Sequence, residues 1–285
     1  MIAIRNLTFR YPGASQPALR GVSFLVETGE TLGVLGPSGA GKSTLQNCMI
    51  GLLPTFRDAV LYDGVSLKDL GKAFFDRIGV SFEHPNLYSR LTGLENLRFH
   101  AGLYSRDIRS IGGLLDLVGL SDAAHRRTEE YSKGMKRRLV FARAIMHRPD
   151  ILFLDEPTAG LDPGFAGQIR EVIRDEQRRG ATIILATHDM QVAEELCDRV
   201  AFINEGELVA IDTPRNLKML FGQKSVEVEY RLGEALSRKV LSLESGEDLA
   251  YLNRLLRDGA VETVHSLEAS LARVFVELTG RGLSR

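Results

Sequence analysis

Short apolar runs alternate with helical segments of mixed polarity along much of the chain. The run TLGVLG at 31–36 has the composition of a buried strand, as do residues 151–154 and 182–186. Helical periodicity follows from about 43 to 53, and a polar, arginine-rich helix is predicted at 165–179. This alternation predicts an α/β fold with a parallel sheet flanked by helices.

Two segments depart from that alternation. Residues 2–10 and 22–27 have the pattern of short strands and are split by the turn-forming sequence YPGASQP, which predicts an antiparallel N-terminal β subdomain. Helical periodicity dominates from about 86 to 148, in segments such as LENLRFHAGLYS and IGGLLDLVGL. We therefore expect a helical subdomain inserted between strands of the sheet.

The pattern changes again near the C-terminal end. KSVEVEY and VETVHS are predicted strands, EDLAYLNRLLRDG is a predicted helix, and EASLARVFVELTG is a second helix stopped by Gly280. The sequence thus predicts a main domain over residues 1–221 and a small α+β domain over residues 222–285.

The composition of the chain limits which partners it could bind and in which cellular compartment it would work. The formal net charge of −1 argues against a nucleic acid held by bulk charge. Cys48 and Cys197 are far apart and form neither a metal spacing nor a disulfide framework, which fits a reducing cytosol. No signal-peptide core is present, and no stretch approaches the ~20 apolar residues that cross a bilayer. We expect a soluble chain whose membrane role would need another polypeptide.

The sequence GPSGAGKS at 36–43 fits the phosphate-loop pattern G-x-x-x-x-G-K-[ST] between a predicted strand and a predicted helix. Glycines let backbone N–H groups surround an anion, and the helix dipole adds positive charge there. Lys42 can reach the β- and γ-phosphates and Ser43 can hold Mg²⁺. The alternative is a glycine-rich turn with a chance lysine. The predicted nucleotide-binding residues are Gly36, Pro37, Ser38, Gly39, Ala40, Gly41, Lys42, Ser43 and Thr44.

Three polar residues follow buried strands and are candidates for hydrolysis. Asp155 and Glu156 end the run ILFLDEP, where adjacent acids repel unless a cation is present. Asp155 would bind Mg²⁺, and Glu156 would polarise the water that attacks the γ-phosphate. His188 follows TIILAT at a strand's carboxyl end, where we expect it to contact the γ-phosphate. The simpler alternatives are a charged strand end and a structural histidine.

A second candidate anion site lies in YSKGMKRRL at 131–139. Ser132 and Gly134 stand at the predicted start of a helix, so their N–H groups and the serine hydroxyl are available to an anion. The alternative is a capped basic helix on a solvated face.

These ordered motifs resemble the nucleotide-binding subunit of an ATP-binding cassette (ABC) transporter over residues 1 to about 220. The resemblance implies that YSKGM is the signature motif, usually LSGGQ, which closes over ATP on the opposite subunit. Ser132 and Gly134 match that motif, whereas Lys133 and Met135 depart from it. It also implies that Tyr11 stacks on adenine, and stacking on a base is worth ~1–3 kcal/mol. Asp162 matches the loop that crosses the dimer interface, and His188 matches the switch histidine.

Glu83, in SFEHPNLY, stands where this family usually has glutamine, on the loop between the sheet core and the helical subdomain. The resemblance implies that this loop contacts the membrane partner and that Glu83 faces Mg²⁺ and the attacking water. The residue would therefore be both catalytic and a metal ligand. A solvated strand end is the simpler alternative.

Exporter ATPases match the sequence best among the functions that the family offers. The YSKGM form and the tail HSLEASLARVFVELTGR are similar to those of drug-export ATPases of the daunorubicin type. We expect an ATPase that uses ATP and Mg²⁺, forms a dimer around two nucleotides, and works on the cytoplasmic face of the membrane through a separately encoded permease. The alternatives are a soluble cassette acting on ribosomes or DNA, an importer ATPase and a regulatory nucleotide-binding domain.

Overall fold

The computed structural model describes residues 1–56, 58–221, 225–232, 235–267 and 269–280. The chain forms two compact units, Met1–Ile211 and Asp212–Arg285. In chain order the strands are β1 (Ile2–Phe9), β2 (Leu19–Val26), β3 (Thr31–Leu35), β4 (Val60–Tyr62), β5 (Val65–Ser66), β6 (Ile78–Ser81), β7 (Ile151–Asp155), β8 (Thr182–Thr187), β9 (Arg199–Asn204), β10 (Glu207–Asp212), β11 (Ser225–Leu232), β12 (Ala235–Ser242) and β13 (Val261–Ser266). The α-helices are α1 (Lys42–Met49), α2 (Gly93–Ala101), α3 (Ile111–Leu117), α4 (Lys133–Ile145), α5 (Pro163–Arg178), α6 (Met190–Leu196), α7 (Pro214–Phe221), α8 (Gly246–Arg257) and α9 (Leu271–Thr279).

The larger sheet of the first unit has the strand order β10-β9-β3-β8-β7-β6. Strand β3 pairs in parallel with β8 and β9, and β7 pairs in parallel with β6 and β8. Every residue of β3, β7 and β8 is buried, which is why these strands appear in the sequence as continuous apolar runs. The predicted parallel sheet is confirmed. Strand β10 was not predicted and follows β9 through the two-residue turn Glu205–Gly206, where both residues have positive φ.

The N-terminal strands form a second sheet with the order β2-β1-β4-β5. Strand β1 pairs antiparallel with both β2 and β4, so the predicted antiparallel subdomain is present. Strands β4 and β5 were not predicted because they have three and two residues, too few for alternation to be recognised.

Helices α2, α3 and α4 lie between β6 and β7 in the chain, where the helical subdomain was predicted. Thr92 begins α2 with a full capping box, since its side chain accepts from the Glu95 N–H and the Glu95 carboxylate accepts from the Thr92 N–H. Helix α4 is buried along most of its length and packs against β6. This packing joins the helical subdomain to the sheet edge that precedes Glu83.

Helix α1 ends at Met49, earlier than the predicted end near residue 53. Gly51 has φ 83°, and the N–H of Leu52 donates to the carbonyl of Asn47 at 2.9 Å. These features form a Schellman termination. The apolar residues that follow therefore extended the sequence periodicity past the true end of the helix.

The second unit contains an antiparallel sheet with the order β12-β11-β13, together with α7, α8 and α9. The alternating residues Val226, Val228 and Tyr230 are buried, as the sequence pattern predicts. Strand β12 was missed because Leu241 is its sole fully buried residue. The structure divides the chain before Asp212, whereas the sequence placed the boundary after residue 221, because α7 packs with α9. The predicted positions 222–224, Glu268 and 281–285 lie outside the described residues.

Candidate functional site

The phosphate loop joins β3 to α1, and its glycines are required by the fold. Gly39 and Gly41 have φ of 80° and 110°. A Cβ on Gly36 would lie 2.2 Å from the carbonyl oxygen of Ile203, and one on Gly41 would lie 2.8 Å from that of Ala18. The loop is thus pressed against neighbouring backbone at Gly36 and Gly41, where a side chain would not fit.

The Lys42 ammonium lies within this loop. Its Nζ donates to the carbonyls of Gly36 at 2.8 Å and Pro37 at 3.0 Å. Burial lowers the pKa of Lys42, and the nearby carboxylates of Glu156, Asp155 and Glu83 oppose that effect. To reach a phosphate the side chain must exchange these two carbonyls for phosphate oxygens.

Ser43 and Asp155 meet where α1 faces the end of β7. The Ser43 hydroxyl donates to Asp155 Oδ2 at 2.8 Å. The pKa of the Asp155 carboxyl is raised above its ordinary value, mainly by burial. The hydrogen bond from Ser43 opposes this rise, and the charges of Glu83 and Glu156 add to it. Gln46 fixes this geometry, because its Nε2 donates to the carbonyl of Leu154 at 3.0 Å and lies 3.3 Å from that of Ile184.

The Ser43–Asp155 pair fits Mg²⁺ by its chemistry. Both side chains offer oxygen ligands, and the Asp155 carboxylate is a buried charge that a cation would stabilise. Among the residues that the structure describes, no cluster of three or more His, Cys, Asp or Glu could hold a metal alone. Mg²⁺ is commonly bound by one or two protein oxygens together with phosphates and water, so a smaller donor set is sufficient.

Glu156 and His188 are in direct contact. Glu156 is buried and has φ 50°, a left-handed conformation that is uncommon for a residue with a side chain. Its Oε1 accepts from the His188 N–H at 2.9 Å and lies 2.6 Å from His188 Nδ1, while its Oε2 accepts from the Thr187 hydroxyl at 3.0 Å. The carboxylate is therefore oriented by groups from the end of β8.

Glu83 lies after β6 with an exposed side chain. Its negative charge raises the pKa of both Lys42 and Asp155, so its carboxylate is close enough to act on these two groups. The backbone carbonyl of Glu83 accepts a hydrogen bond from Arg137 Nη2 at 3.4 Å. The structure thus brings Glu83 to the same region as Asp155 and Glu156, and its role there remains a prediction.

Tyr11 is held beside the phosphate-loop helix. Its hydroxyl is 3.2 Å from Thr44 Oγ1, and its ring meets the Phe9 ring edge-on with centroids 4.9 Å apart. The side chain is 42% exposed. Part of the Tyr11 side chain is therefore accessible beside α1, and its stacking on adenine remains a prediction.

The signature residues and Asp162 adjoin one another. Ser132 begins α4, and its hydroxyl accepts from the Met135 N–H at 3.2 Å. A Cβ on Gly134 would be closest to Leu161, in the loop that leads to Asp162. The Asp162 side chain caps α5 by accepting from the Phe165 N–H. The signature segment and the loop before Asp162 are thus neighbours in space, although Ser132 and Asp162 lie 30 positions apart in the sequence.

Sequence reasoning missed Gln46, Thr187 and Arg137. Gln46 stands one turn after Ser43 on α1, so its position on the helix face towards the sheet was available from the spacing. Thr187 directly precedes His188 and was assigned only to the strand. Nothing in the local pattern distinguishes Arg137 from its basic neighbours in KRR.

A glycine-rich loop between a buried strand and a helix, a lysine and serine at that helix's start, and an acidic pair ending a neighbouring strand define a phosphate-loop nucleoside triphosphate hydrolase. The comparison with known proteins specifies the class further. The family model described as ABC transporter matches residues 19–159.

Individual relatives match most of the chain. It is 50% identical over 285 residues to a fluoroquinolones export ATP-binding protein of Mycobacterium tuberculosis, covering 100% of this chain and 95% of the relative. It is 31% identical over 312 residues to the linearmycin resistance ATP-binding protein LnrL of Bacillus subtilis, covering 99% of both. The dimeric post-hydrolysis structure of the ATP-binding cassette MJ0796 bound to ADP and Pi matches with TM-score 0.68 and 27% identity, covering 75% of this chain and 98% of that one.

The chain therefore belongs to the ABC transporter family and is an ATP-binding ATPase of that family. The phosphate loop and the strand-end acids described above lie at the carboxyl ends of β3 and β7, the edge where ligands bind in open α/β sheets. In the described part of the chain, no helix is both long enough and apolar enough to cross a membrane.

Proposed function

We propose that this chain is the ATP-hydrolysing subunit of a drug exporter. The observation that carries the proposal is the 50% identity to a fluoroquinolones export ATP-binding protein, which extends through the small C-terminal unit as well as the cassette. The similarity to a linearmycin resistance protein also supports export as the direction of transport and a drug as the class of substrate.

Two copies would bind two Mg-ATP molecules between them and act on a separately encoded permease. The dimeric MJ0796 cassette, which matches 75% of this chain, supports such an arrangement. The exposed Ser132 and Asp162 caps would then face the partner copy's nucleotide. The protein would work at the cytoplasmic face of the membrane through its permease.

Each predicted site residue has a defined task in this mechanism. Tyr11 would stack on adenine, and Lys42 would leave the carbonyls of Gly36 and Pro37 to neutralise the β- and γ-phosphates. Ser43 and Asp155 would hold Mg²⁺, which supplies charge neutralisation on the phosphate oxygens. Bound nucleotide would occupy the phosphate loop beside them.

Glu156 is the proposed general base. Its carboxylate accepts hydrogen bonds from the Thr187 hydroxyl and the His188 N–H, which would orient it to take a proton from water. His188 would turn from Glu156 towards the γ-phosphate when nucleotide binds, and its exposed ring is free to do so. Glu83 would orient the water and contribute an oxygen to the metal.

The test is transport in sealed vesicles that contain the chain and its candidate permease. ATP added on the side of the chain should drive a fluoroquinolone away from that side, and vesicles with Glu156→Gln should show no transport. Movement towards the chain would indicate an importer. ATP hydrolysis without association with any multi-span protein would instead favour a soluble cassette.

A further inference from the structure

Arg137 connects α4 to two loops of the site. It is 6% exposed, and its guanidinium donates to the backbone carbonyl of Ala159 and to that of Glu83. The contact with the Glu83 carbonyl is 3.4 Å long. The side chain therefore reaches from the signature helix to the segments that follow β6 and β7.

These two carbonyls belong to the segments that carry the proposed catalytic carboxylates. The first is the carbonyl of Glu83 itself. The second belongs to a turn that begins at Glu156, because the Ala159 N–H donates to the Glu156 carbonyl at 3.3 Å. One cation thus links the backbones that set the positions of both carboxylates.

The charge of Arg137 is costly for the fold. Burying a guanidinium is unfavourable unless it is paired, and within the described part of the chain it contacts no carboxylate at ion-pair distance. An apolar side chain of similar length would avoid this cost. What an apolar side chain could not supply is the link between the two segments, because the planar, forked guanidinium can bond two carbonyls at once.

We propose that Arg137 is a positioning residue for hydrolysis, which holds the segments of Glu83 and Glu156 at a fixed separation. This inference rests on the proposed roles of those two carboxylates. Because α4 also begins with the signature residue Ser132, the same side chain ties the signature helix to the hydrolytic loops of its own subunit.

The next residue provides a matched control. Arg138 is 9% exposed, and its Nη1 donates to the carbonyls of Val118 and Gly119 at 2.8 and 3.0 Å. Its guanidinium lies 3.7 Å from the centre of the Phe165 ring. It has the same charge as Arg137, lies on the same helix and is also buried, but its two hydrogen bonds stay within the helical subdomain.

The experiment measures steady-state ATP hydrolysis and thermal unfolding of the full chain for Arg137→Met, Arg137→Lys and Arg138→Met. Misplacing catalytic groups should lower kcat of Arg137→Met by about tenfold or more. Its KM for ATP should stay within about threefold of the parent, since ground-state binding is unchanged. Arg137→Lys should recover part of the rate, because an ammonium can reach one carbonyl.

Arg138→Met should keep a rate close to the parent, and its melting temperature should be no higher than that of Arg137→Met. Parent-like kcat in Arg137→Met would overturn the proposal, as would equal losses of kcat in both methionine variants. If Arg137→Met does not fold, parent-like kcat in Arg137→Lys overturns it.

Two further measurements separate this inference from the proposed function. Glu156→Gln is measured first, and a parent-like rate there would refute the proposed general base itself. If Glu156→Gln is inactive, its residual single-turnover rate is compared with that of the double variant Glu156→Gln/Arg137→Met. Because Arg137 would act through Glu156, adding Arg137→Met to Glu156→Gln should lower the rate by a smaller factor than Arg137→Met does in the parent. A double variant whose rate falls by the product of the two single factors would contradict the proposal.

Discussion

At the scale of single residues, Glu156 combines an uncommon backbone conformation with a hydrogen-bonded carboxylate. The backbone of Glu156 is left-handed, and its carboxylate is hydrogen-bonded to Thr187 and His188. Strain of this kind persists where the surrounding structure enforces it, and it is frequent at functional sites. The strained conformation and the oriented carboxylate together distinguish Glu156 from an ordinary charged strand end.

Replacement of Glu156 by glutamine should stop turnover but keep nucleotide. The amide preserves size and hydrogen bonding but cannot take a proton, so the rate should fall by at least about 100-fold. Mg-ATP binding should persist, and the ATP-bound dimer should be more stable than that of the parent by sedimentation analysis. Glu171→Gln, an exposed change on α5, is the control. An unchanged hydrolysis rate in Glu156→Gln would remove this residue from the mechanism.

Glu83 should be visible in the Mg²⁺ dependence of hydrolysis. Its carboxylate adds to the negative charge around Asp155, and bound Mg²⁺ would offset that charge. Glu83→Gln should fold and bind ATP but need more Mg²⁺ for half-maximal activity, and Glu83→Ala should lose most hydrolysis. Rates are measured against Mg²⁺ concentration for all three proteins. Superimposable curves would show that Glu83 is a plain surface charge.

At the scale of elements, the sequence predicted the buried strands of the parallel sheet and the functional residues that follow their ends. The runs that became β3, β7 and β8 are apolar because both faces of the sheet are covered, and the glycines after β3 are dictated by close backbone contact. The short β4 and β5 and the largely exposed β12 carry too weak an alternation to be recognised.

Contacts between distant elements were beyond the sequence. Nothing local indicates that His188 bonds Glu156 or that Arg137 reaches Glu83, because each pairing depends on how parallel strands and α4 are arranged in space. The sequence therefore yielded the candidate residues but not the network that orients them.

The contact of His147, which follows α4, with Ile78 of β6 should make the free energy of unfolding depend on pH. His147 is buried, its Nε2 lies 2.9 Å from the Ile78 carbonyl, and its ring stacks on Tyr104 with centroids 3.8 Å apart. Its Nδ1 has no hydrogen-bond partner among the described residues. Burial, opposed by the Ile78 bond and aided by the charge of Arg106, lowers the pKa of His147 from 6.5 to about 4.

The sign of the effect follows from proton binding. Between these two pKa values the unfolded chain binds more protons than the folded chain, so this contribution is complete above pH 6.5 and is lost as the pH falls towards 4. For a shift of this size the loss is about 2 kcal/mol at pH 5. We expect His147→Gln, measured by urea unfolding at pH 8 and pH 5, to lose less stability on acidification than the parent.

His100 limits the size of that difference. Burial and the charge of Arg143 lower its pKa to about 4 as well, so it contributes acid sensitivity of the same sign. The His147→Gln variant should therefore retain part of the parent's pH dependence. An identical decrease in stability in both proteins would show that His147 titrates normally in the folded chain.

At the scale of the whole molecule, the proposed function assigns the signature residues to the nucleotide of a second copy. The Ser132 hydroxyl is bonded by its own helix, and the atoms nearest to Gly134 outside α4 belong to Leu161 and Gly160 rather than to the phosphate loop. A second copy would supply the anion contacts of this helix start to the first copy's nucleotide. The predicted site would then be composite, and each dimer would contain two.

A mixed dimer distinguishes action across subunits from action within one. Ser132→Arg and Lys42→Ala chains should each be inactive alone, since every composite site of a pure dimer has one defect. In the mixed dimer one site combines both defects and the other has neither, so hydrolysis should return to about half of the parent rate if the sites are independent. Two different affinity tags, used in sequence, isolate the mixed dimer for the assay. Action within one chain predicts no recovery, because each chain then retains its own defect, and inactivity in verified mixed dimers would therefore reject the composite site.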